Sequence, residues 1–130
     1  MNKISVVLTL LILCIANHAS CQTNEIPFLN CQVHIDQDTN TTFRKQELLN
    51  AKGLTVDSSD ISITSFRFAI ICKGKKEKNV SNSKNGDFTH EMKQLILNNC
   101  IEGRIFLEYI KCIDKNNKQF NLSPKQLKFK

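Results

Sequence analysis

Alternation of apolar and polar residues is most regular between residues 65 and 72, where it predicts a strand with one buried face. Phe66, Phe68, Ile70 and Cys72 recur at every second position, so an extended backbone places all four side chains on the same side. Aromatic and β-branched residues dominate this run, as they do in strands that pack against a core.

The second long apolar run, in the last third of the chain, has strand composition but breaks the alternation. Ile105, Leu107 and Tyr109 share one face of a regular strand, whereas Ile110 and Cys112 share the other. Both faces cannot be equally buried in a two-layer fold unless a β-bulge shifts the register. The pattern therefore indicates a strand but leaves open which of its two faces is buried.

Helical spacing is clearest after Thr89, where Met92, Leu95 and Ile96 recur at intervals of three to four residues. Thr89 suits the N-cap position, and Glu91 suits the positive end of the helix dipole. A second segment, residues 43–52, indicates a short helix or an irregular turn. We expect Gly53 to end that segment in a left-handed conformation.

The remaining patterns are short strands and polar turns. Alternation at Cys31, Val33 and Ile35 predicts one strand, and apolar residues on both sides of Ser123-Pro124 predict a closing hairpin. This order of elements favours a mainly β fold, a small immunoglobulin-like β-sandwich with one short helix. We expect a leader over residues 1–21, a polar tether over 22–30 and one sandwich domain over 31–130.

The leader has the composition of a secretory signal peptide. Lys3 precedes an apolar run, and small residues follow in Ala19-Ser20-Cys21. Cleavage before a cysteine is typical of bacterial lipoproteins, so Cys21 is the predicted site of lipid attachment and of a membrane anchor. His18 stands where a lipobox usually has Leu, and ordinary cleavage near Ala19 or after Cys21 remains the alternative. We therefore expect an exported protein, a periplasmic or outer-membrane lipoprotein or a secreted one.

The charge balance changes this picture little. The full chain has 18 Lys and Arg against 12 Asp and Glu, a net charge of +6. A basic balance by itself measures solubility and nonspecific attraction, and an exported protein rarely meets nucleic acid. We do not expect nucleic-acid binding.

Four cysteines lie beyond the leader, and an even number in a small exported chain is typical of two disulfides. Cys72 and Cys112 both end strongly apolar strands, so we predict that they pair and that Cys31 pairs with Cys100. Zinc is the competing use, because Cys31 and His34 have a ligand-like gap. No second close pair accompanies them, and structural zinc sites usually have two such pairs. We predict no metal or other cofactor.

Catalytic motifs of the common hydrolase, metalloprotease and phosphate-binding types do not occur in the sequence. His34 near Cys31 could indicate a thiol nucleophile, but an inward cysteine on a strand suits a disulfide better. We therefore predict that the protein is not an enzyme.

The basic run 73–78 is the candidate partner contact, and the residues predicted to make it are Lys73, Lys75, Lys76 and Lys78. The alternative is a soluble hairpin tip that discourages sheet-to-sheet association.

Taken in order, these features resemble the C-terminal domains of the gliding-motility and type 9 secretion protein GldM of Bacteroidetes. The resemblance covers residues 31–130. It is carried by the runs 63–68, 88–96 and 103–111 and by Gly53-Leu54 and Asn117-Lys118. It implies an immunoglobulin-like sandwich that contacts envelope proteins and has no enzymatic activity. The four cysteines are not part of what the resemblance implies.

The functional expectation is a non-enzymatic cell-envelope protein, a GldM-like module for protein interaction or structure with an envelope protein as its partner. The GldM segments that couple to a motor are missing, so a motor role is not expected. The alternative is a secreted, disulfide-stabilised domain that binds a ligand or acts as an inhibitor.

Overall fold

The structure is a computed structural model that describes residues 25–99 and 101–130. Two helices and eight strands lie in these ranges. The strands are β1 (Val33–Ile35), β2 (Thr42–Phe43), β3 (Leu54–Val56), β4 (Ser62–Cys72), β5 (Lys78–Ser83), β6 (Gly103–Ile113), β7 (Gln119–Leu122) and β8 (Lys125–Phe129), and the helices are α1 (Lys45–Asn50) and α2 (His90–Asn99).

The strands form one large and one small sheet. The large sheet has six strands, in which β2, β8, β6, β4 and β5 follow one another and β7 also pairs with β6. Its pairings are antiparallel except for the parallel contact of β2 with β8. The small sheet is the antiparallel pair of β1 and β3. The mainly β sandwich predicted from the sequence is confirmed, with a second short helix, α1.

The core lies between the inner face of the large sheet and a second layer made of the small sheet and both helices. On β4, the predicted buried face is confirmed, because Phe66, Phe68, Ile70 and Cys72 are all buried. The Phe88 ring packs edge-on against Phe66 and Phe68 at centroid distances of 6.1 and 6.2 Å. The second layer contributes Val33, Ile35, Leu48, Leu54, Met92 and Ile96.

A bulge in β6 explains why apolar residues occupy both faces of its sequence pattern. Tyr109 has a φ of 49°, in the left-handed region, and the pairing of β6 with β4 shifts register beside it. The extra residue lets Leu107 and Ile110 both point into the core, while Tyr109 is 68% exposed. Tyr109 therefore lies on the opposite face from Leu107, whereas a regular strand would place the two together.

Both helices begin with local hydrogen bonds to backbone N–H groups. Thr89 caps α2 as predicted, because its Oγ1 accepts a hydrogen bond from the Met92 N–H at 3.2 Å. At α1, a Glu47 carboxylate oxygen accepts a hydrogen bond from the Arg44 N–H at 2.8 Å.

Gly53 differs from its prediction, since its φ is not positive and α1 already ends at Asn50, with Ala51 as its C-cap. A Cβ atom at Gly53 would lie 2.3 Å from the Gly86 carbonyl oxygen. Glycine is required there by close backbone approach to the segment after β5, and not by a left-handed helix end.

The N-terminal segment, residues 26–29, runs beside β7. Asn121 donates its N–H to the Pro27 carbonyl at 2.9 Å and accepts the Leu29 N–H at 2.8 Å. The Asn121 side-chain amide also donates to the Ile26 carbonyl at 3.2 Å. Residues that the sequence assigned to a tether are thus hydrogen-bonded to the large sheet.

Cys21 and the rest of the leader lie outside the described residues, so its predicted lipidation stays a prediction. Within residues 25–99 and 101–130, neither helix has the length and apolar character needed to cross a membrane.

Candidate functional site

The side of the large sheet that faces away from the core is the candidate site, and we call it the outer face. On β4 and on β6, it consists of the residues that alternate along the strand with those facing the core. Register pairs Arg67 with Glu108, Ala69 with Phe106, and Ile71 with Arg104. On the flanking strands, Lys78 lies beside Ile71 and Lys128 beside Arg104.

Glu108 lies between two cations at the centre of the outer face. The Lys78 Nζ donates a hydrogen bond to Glu108 Oε1 at 3.1 Å, and the Arg67 Nε lies 3.6 Å from Glu108 Oε2. That second distance is too long for a hydrogen bond, and the buried Nε atom has no hydrogen-bond partner in the structure. One carboxylate is therefore shared by two positive charges, and one donor has no acceptor.

Aromatic rings lie next to these cations. The Lys78 Nζ is 5.5 Å from the centre of the Phe106 ring, and the Arg67 Cζ is 5.7 Å from the centre of the Tyr109 ring. These distances suit cation–π attraction. Because the bulge turns Tyr109 outward, it adds an exposed ring to the outer face.

Two cavities open on the outer face. One, of about 560 Å³, is lined by Arg67, Tyr109 and the 68% exposed Phe28 of the N-terminal segment, together with Lys111. The other, of about 580 Å³, lies near the end of β4 and beside the start of β6. Its charged lining residues are Lys73, Lys75, Glu102, Arg104, Lys128 and Lys130.

Positive charge is concentrated at these two cavities. Eight Lys and Arg side chains line them against two Glu side chains, an excess of six. Arg104 and Lys128 are direct cross-strand neighbours, and like charges in that position destabilise a sheet. Arg104 and Lys128 thus place two like charges on neighbouring strands of the outer face.

The predicted basic run contributes to the outer face only in part. Lys73 and Lys75 line the larger cavity and Lys78 lines the smaller one, whereas Lys76 is exposed in the loop and lines neither cavity. Lys73 Nζ lies 2.7 Å from Glu102 Oε1, and this hydrogen-bonded pair raises the pKa of Lys73. Lys73 therefore stays positively charged at neutral pH.

Sequence reasoning missed Arg67, Arg104 and Lys128, the basic residues that the strands themselves supply. A signal for them exists, because each occupies an outward position in an alternating strand. Their convergence depends on strand order and register, which the sequence does not reveal.

The predicted disulfide pairs are wrong. Cys31 and Cys112 are free thiols, while Cys72 is disulfide-bonded, so its partner is neither of them. Antiparallel pairing explains the error, since Cys72 lies opposite Gly103, at the other end of the strand pair from Cys112. Along β6, nine residues separate Gly103 from Cys112, a distance of about 30 Å. A disulfide needs Cα atoms within about 7 Å of each other. Cys100 lies outside the described residues.

His34 contacts a carboxylate. Its Nε2 lies 2.5 Å from Asp57 Oδ1, and its Nδ1 is buried without a hydrogen-bond partner. The described residues contain no group of three or more His, Cys, Asp or Glu side chains arranged to hold a metal ion.

No known protein family model and no curated protein matches this chain.

Proposed function

We propose that this protein is a non-enzymatic interaction module of the cell envelope, of the GldM-like type, and that its outer face binds an acidic partner protein. The observation that carries the proposal is the repulsive pair of Arg104 and Lys128, set in a face with an excess of six positive charges. Such a pair costs stability in the free protein and is relieved when a negative group lies between the two side chains.

The aromatic rings support a protein partner. Exposed Tyr and Phe side chains beside Arg are enriched where proteins bind one another, because they bury large areas while the cation fixes the orientation. Tyr109 and Phe28 provide such rings, and Arg67 lies with them at the same cavity. The Arg67 guanidinium, ion-paired with Glu108 and stacked near Tyr109, fixes positive charge at this cavity.

A charge-reversal experiment tests the proposal. Because the partner is unidentified, a polyglutamate peptide serves as the acidic probe, and binding is measured by titration at several salt concentrations. Arg104→Glu and Lys128→Glu should each weaken binding at least tenfold. Each should also leave stability unchanged or raise it by about 0.2–1 kcal/mol, because the repulsive pair becomes an attractive one.

Matched controls are available at Lys84 and Lys115, which are exposed and line neither cavity. Lys84→Glu and Lys115→Glu change the net charge equally and should leave binding almost unchanged. Equal losses in all four variants would show only a nonspecific effect of net charge and would contradict the proposal. Binding to anionic lipid vesicles but not to polyglutamate would assign the face to a membrane surface instead.

Location in the envelope needs its own test. Mass analysis of the N-terminus of the exported protein should find a lipid-modified Cys21. Recovery from the culture medium with an unmodified N-terminus would favour the secreted form.

A second candidate function is a secreted domain that binds a small anionic ligand. The observation in its favour is the 580 Å³ cavity, which the disulfide-bonded Cys72 helps to line beside its five basic side chains. Pyrophosphate that competes with polyglutamate, and binds more tightly than it does, would favour this function.

A further inference from the structure

Two thiols lie outside the functional proposal. Cys112 follows the bulge of β6, is 1% exposed and belongs to the hydrophobic core. Cys31 lies just after the N-terminal segment, is partly buried and packs against the same core cluster.

The backbone brings the two cysteines together at β7. Cys112 is the register partner of Phe120, and its Sγ lies 3.6 Å from the Phe120 carbonyl oxygen. The next residue, Asn121, accepts the Leu29 N–H at 2.8 Å, and the Leu29 carbonyl accepts the Cys31 N–H at 3.0 Å. Only a short path of hydrogen bonds across β7 therefore separates Cys31 from Cys112.

Electrostatics indicates the same proximity. Burial is the main cause that raises the pKa of Cys112, and the neighbouring Cys31 raises it further. This influence supports the proximity that the hydrogen bonds across β7 indicate.

We propose that Cys31 and Cys112 form a disulfide when the protein meets a disulfide oxidant, which covalently joins the N-terminal segment to the central strand β6. Cys72 is itself disulfide-bonded, and disulfides form and persist in oxidising compartments.

The chemistry is thiol–disulfide exchange with a small-molecule disulfide or a disulfide oxidoreductase. Cys31, the more accessible thiol, loses its proton and attacks one sulfur of the oxidant, which releases one thiolate and leaves a mixed disulfide. Cys112 then loses its proton and attacks the Cys31 sulfur, which releases the second thiolate. The two cysteines are oxidised by two electrons, and the oxidant is reduced to two thiols.

The consequence is a stronger attachment of the N-terminal segment. In the thiol form, residues 26–29 are held to β7 by the hydrogen bonds of Asn121. The disulfide would add a bond to β6, which pairs with β4, β7 and β8. It would also close a loop of about 80 residues, and long loops give the largest restriction of the unfolded chain.

Peptide mapping tests the proposal on the full chain. The protein is equilibrated with glutathione disulfide, alkylated and digested with trypsin and a glutamate-specific protease without reduction. Cleavage after Glu25 separates Cys31 from Cys21, and cleavage after Lys111 and Lys115 isolates Cys112. A linked peptide pair that contains Cys31 and Cys112, lighter by two hydrogen atoms than the two thiol peptides, is the expected result.

Thermal unfolding provides the second measurement. Oxidised wild-type protein should melt several degrees above oxidised Cys31→Ser protein, and the difference should largely vanish when both are reduced. The variant keeps Cys72, so the comparison isolates the new bond. Alkylation of both Cys31 and Cys112 after oxidation, or a link from either one to another cysteine, would overturn the proposal. The wild-type map decides the matter even if the variant folds poorly.

Discussion

Phe68 and Arg67 are neighbours in sequence, yet the first is fully buried in the core and the second lies on the outer face beside Tyr109. The same contrast recurs on β6, where Leu107 points inward and Glu108 outward. Strand alternation thus places one set of residues in the core and the intervening set on the outer face. The two sets can be changed independently only as long as the strands keep their register.

The largest expected effect comes from the inner face. Phe68→Ala should lower the free energy of unfolding by about 3–5 kcal/mol, because it removes a fully buried ring and leaves a cavity. Urea unfolding measures the change. Phe106→Ala is the matched control on the outer face, where the ring is only partly buried, and its loss should be less than half as large. Equal losses would show that the outer face is also part of the core.

Without the bulge, Tyr109 would lie on the inner face of β6. The second prediction therefore tests the backbone conformation at Tyr109. Tyr109→Val should be about 1 kcal/mol less stable than Tyr109→Asn, because a β-branched residue strongly resists a positive φ and Asn tolerates it. Both variants lose the contact with Arg67, so their difference reports the backbone alone. Valine is the better residue in a regular strand, and a more stable Val variant would therefore argue against the bulge.

A smaller expected effect is the pH dependence of folding stability, which a buried group on the inner face should influence more than an exposed group on the outer face. Burial raises the pKa of Cys112 above its ordinary value of 9.0, so the folded state holds that proton more tightly than the unfolded state. The stability of the reduced protein should be insensitive to this group below about pH 9 and should fall as the pH rises through the raised pKa. Urea unfolding at several alkaline pH values, with Cys112→Ala as reference, measures the difference.

On the outer face, the pKa of Lys73 is also raised, by its hydrogen bond and ion pair with Glu102. The sign is the same, because the benefit of the pair is lost as the pH rises above 10.5 through the raised pKa. Lys73 is exposed, so solvent and salt screen the pair, and Lys73→Gln should change the alkaline slope less than Cys112→Ala does. If Lys73→Gln changed that slope more than Cys112→Ala, the outer face would contribute more to the pH dependence of stability than the inner face, contrary to expectation.

Local patterns predicted much of the fold. The buried face of β4 and the cap at Thr89 each depend on residues within a few positions of one another. Short-range rules of side-chain period and hydrogen bonding are sufficient for such features.

Features that depend on contacts between residues distant in sequence were not predicted by the same rules. The error at Cys72 and Cys112 arose because strand ends that look alike in sequence lie at opposite ends of an antiparallel pair. Gly53 was assigned a left-handed role because its actual neighbour, Gly86, is distant in sequence. The candidate site depended on pairing too, since Arg104 and Lys128 meet only through the register of β6 with β8.

The position of Phe28 links the N-terminal segment to the outer face. Its ring lines the same cavity as Arg67 and Tyr109, while its neighbours, Pro27 and Leu29, hold the segment to β7. A ligand that contacts Phe28 there binds better when the segment is docked, and by reciprocity it must hold the segment in place. Under the proposed function, a partner bound at this cavity would therefore slow the release of residues 26–29 from β7.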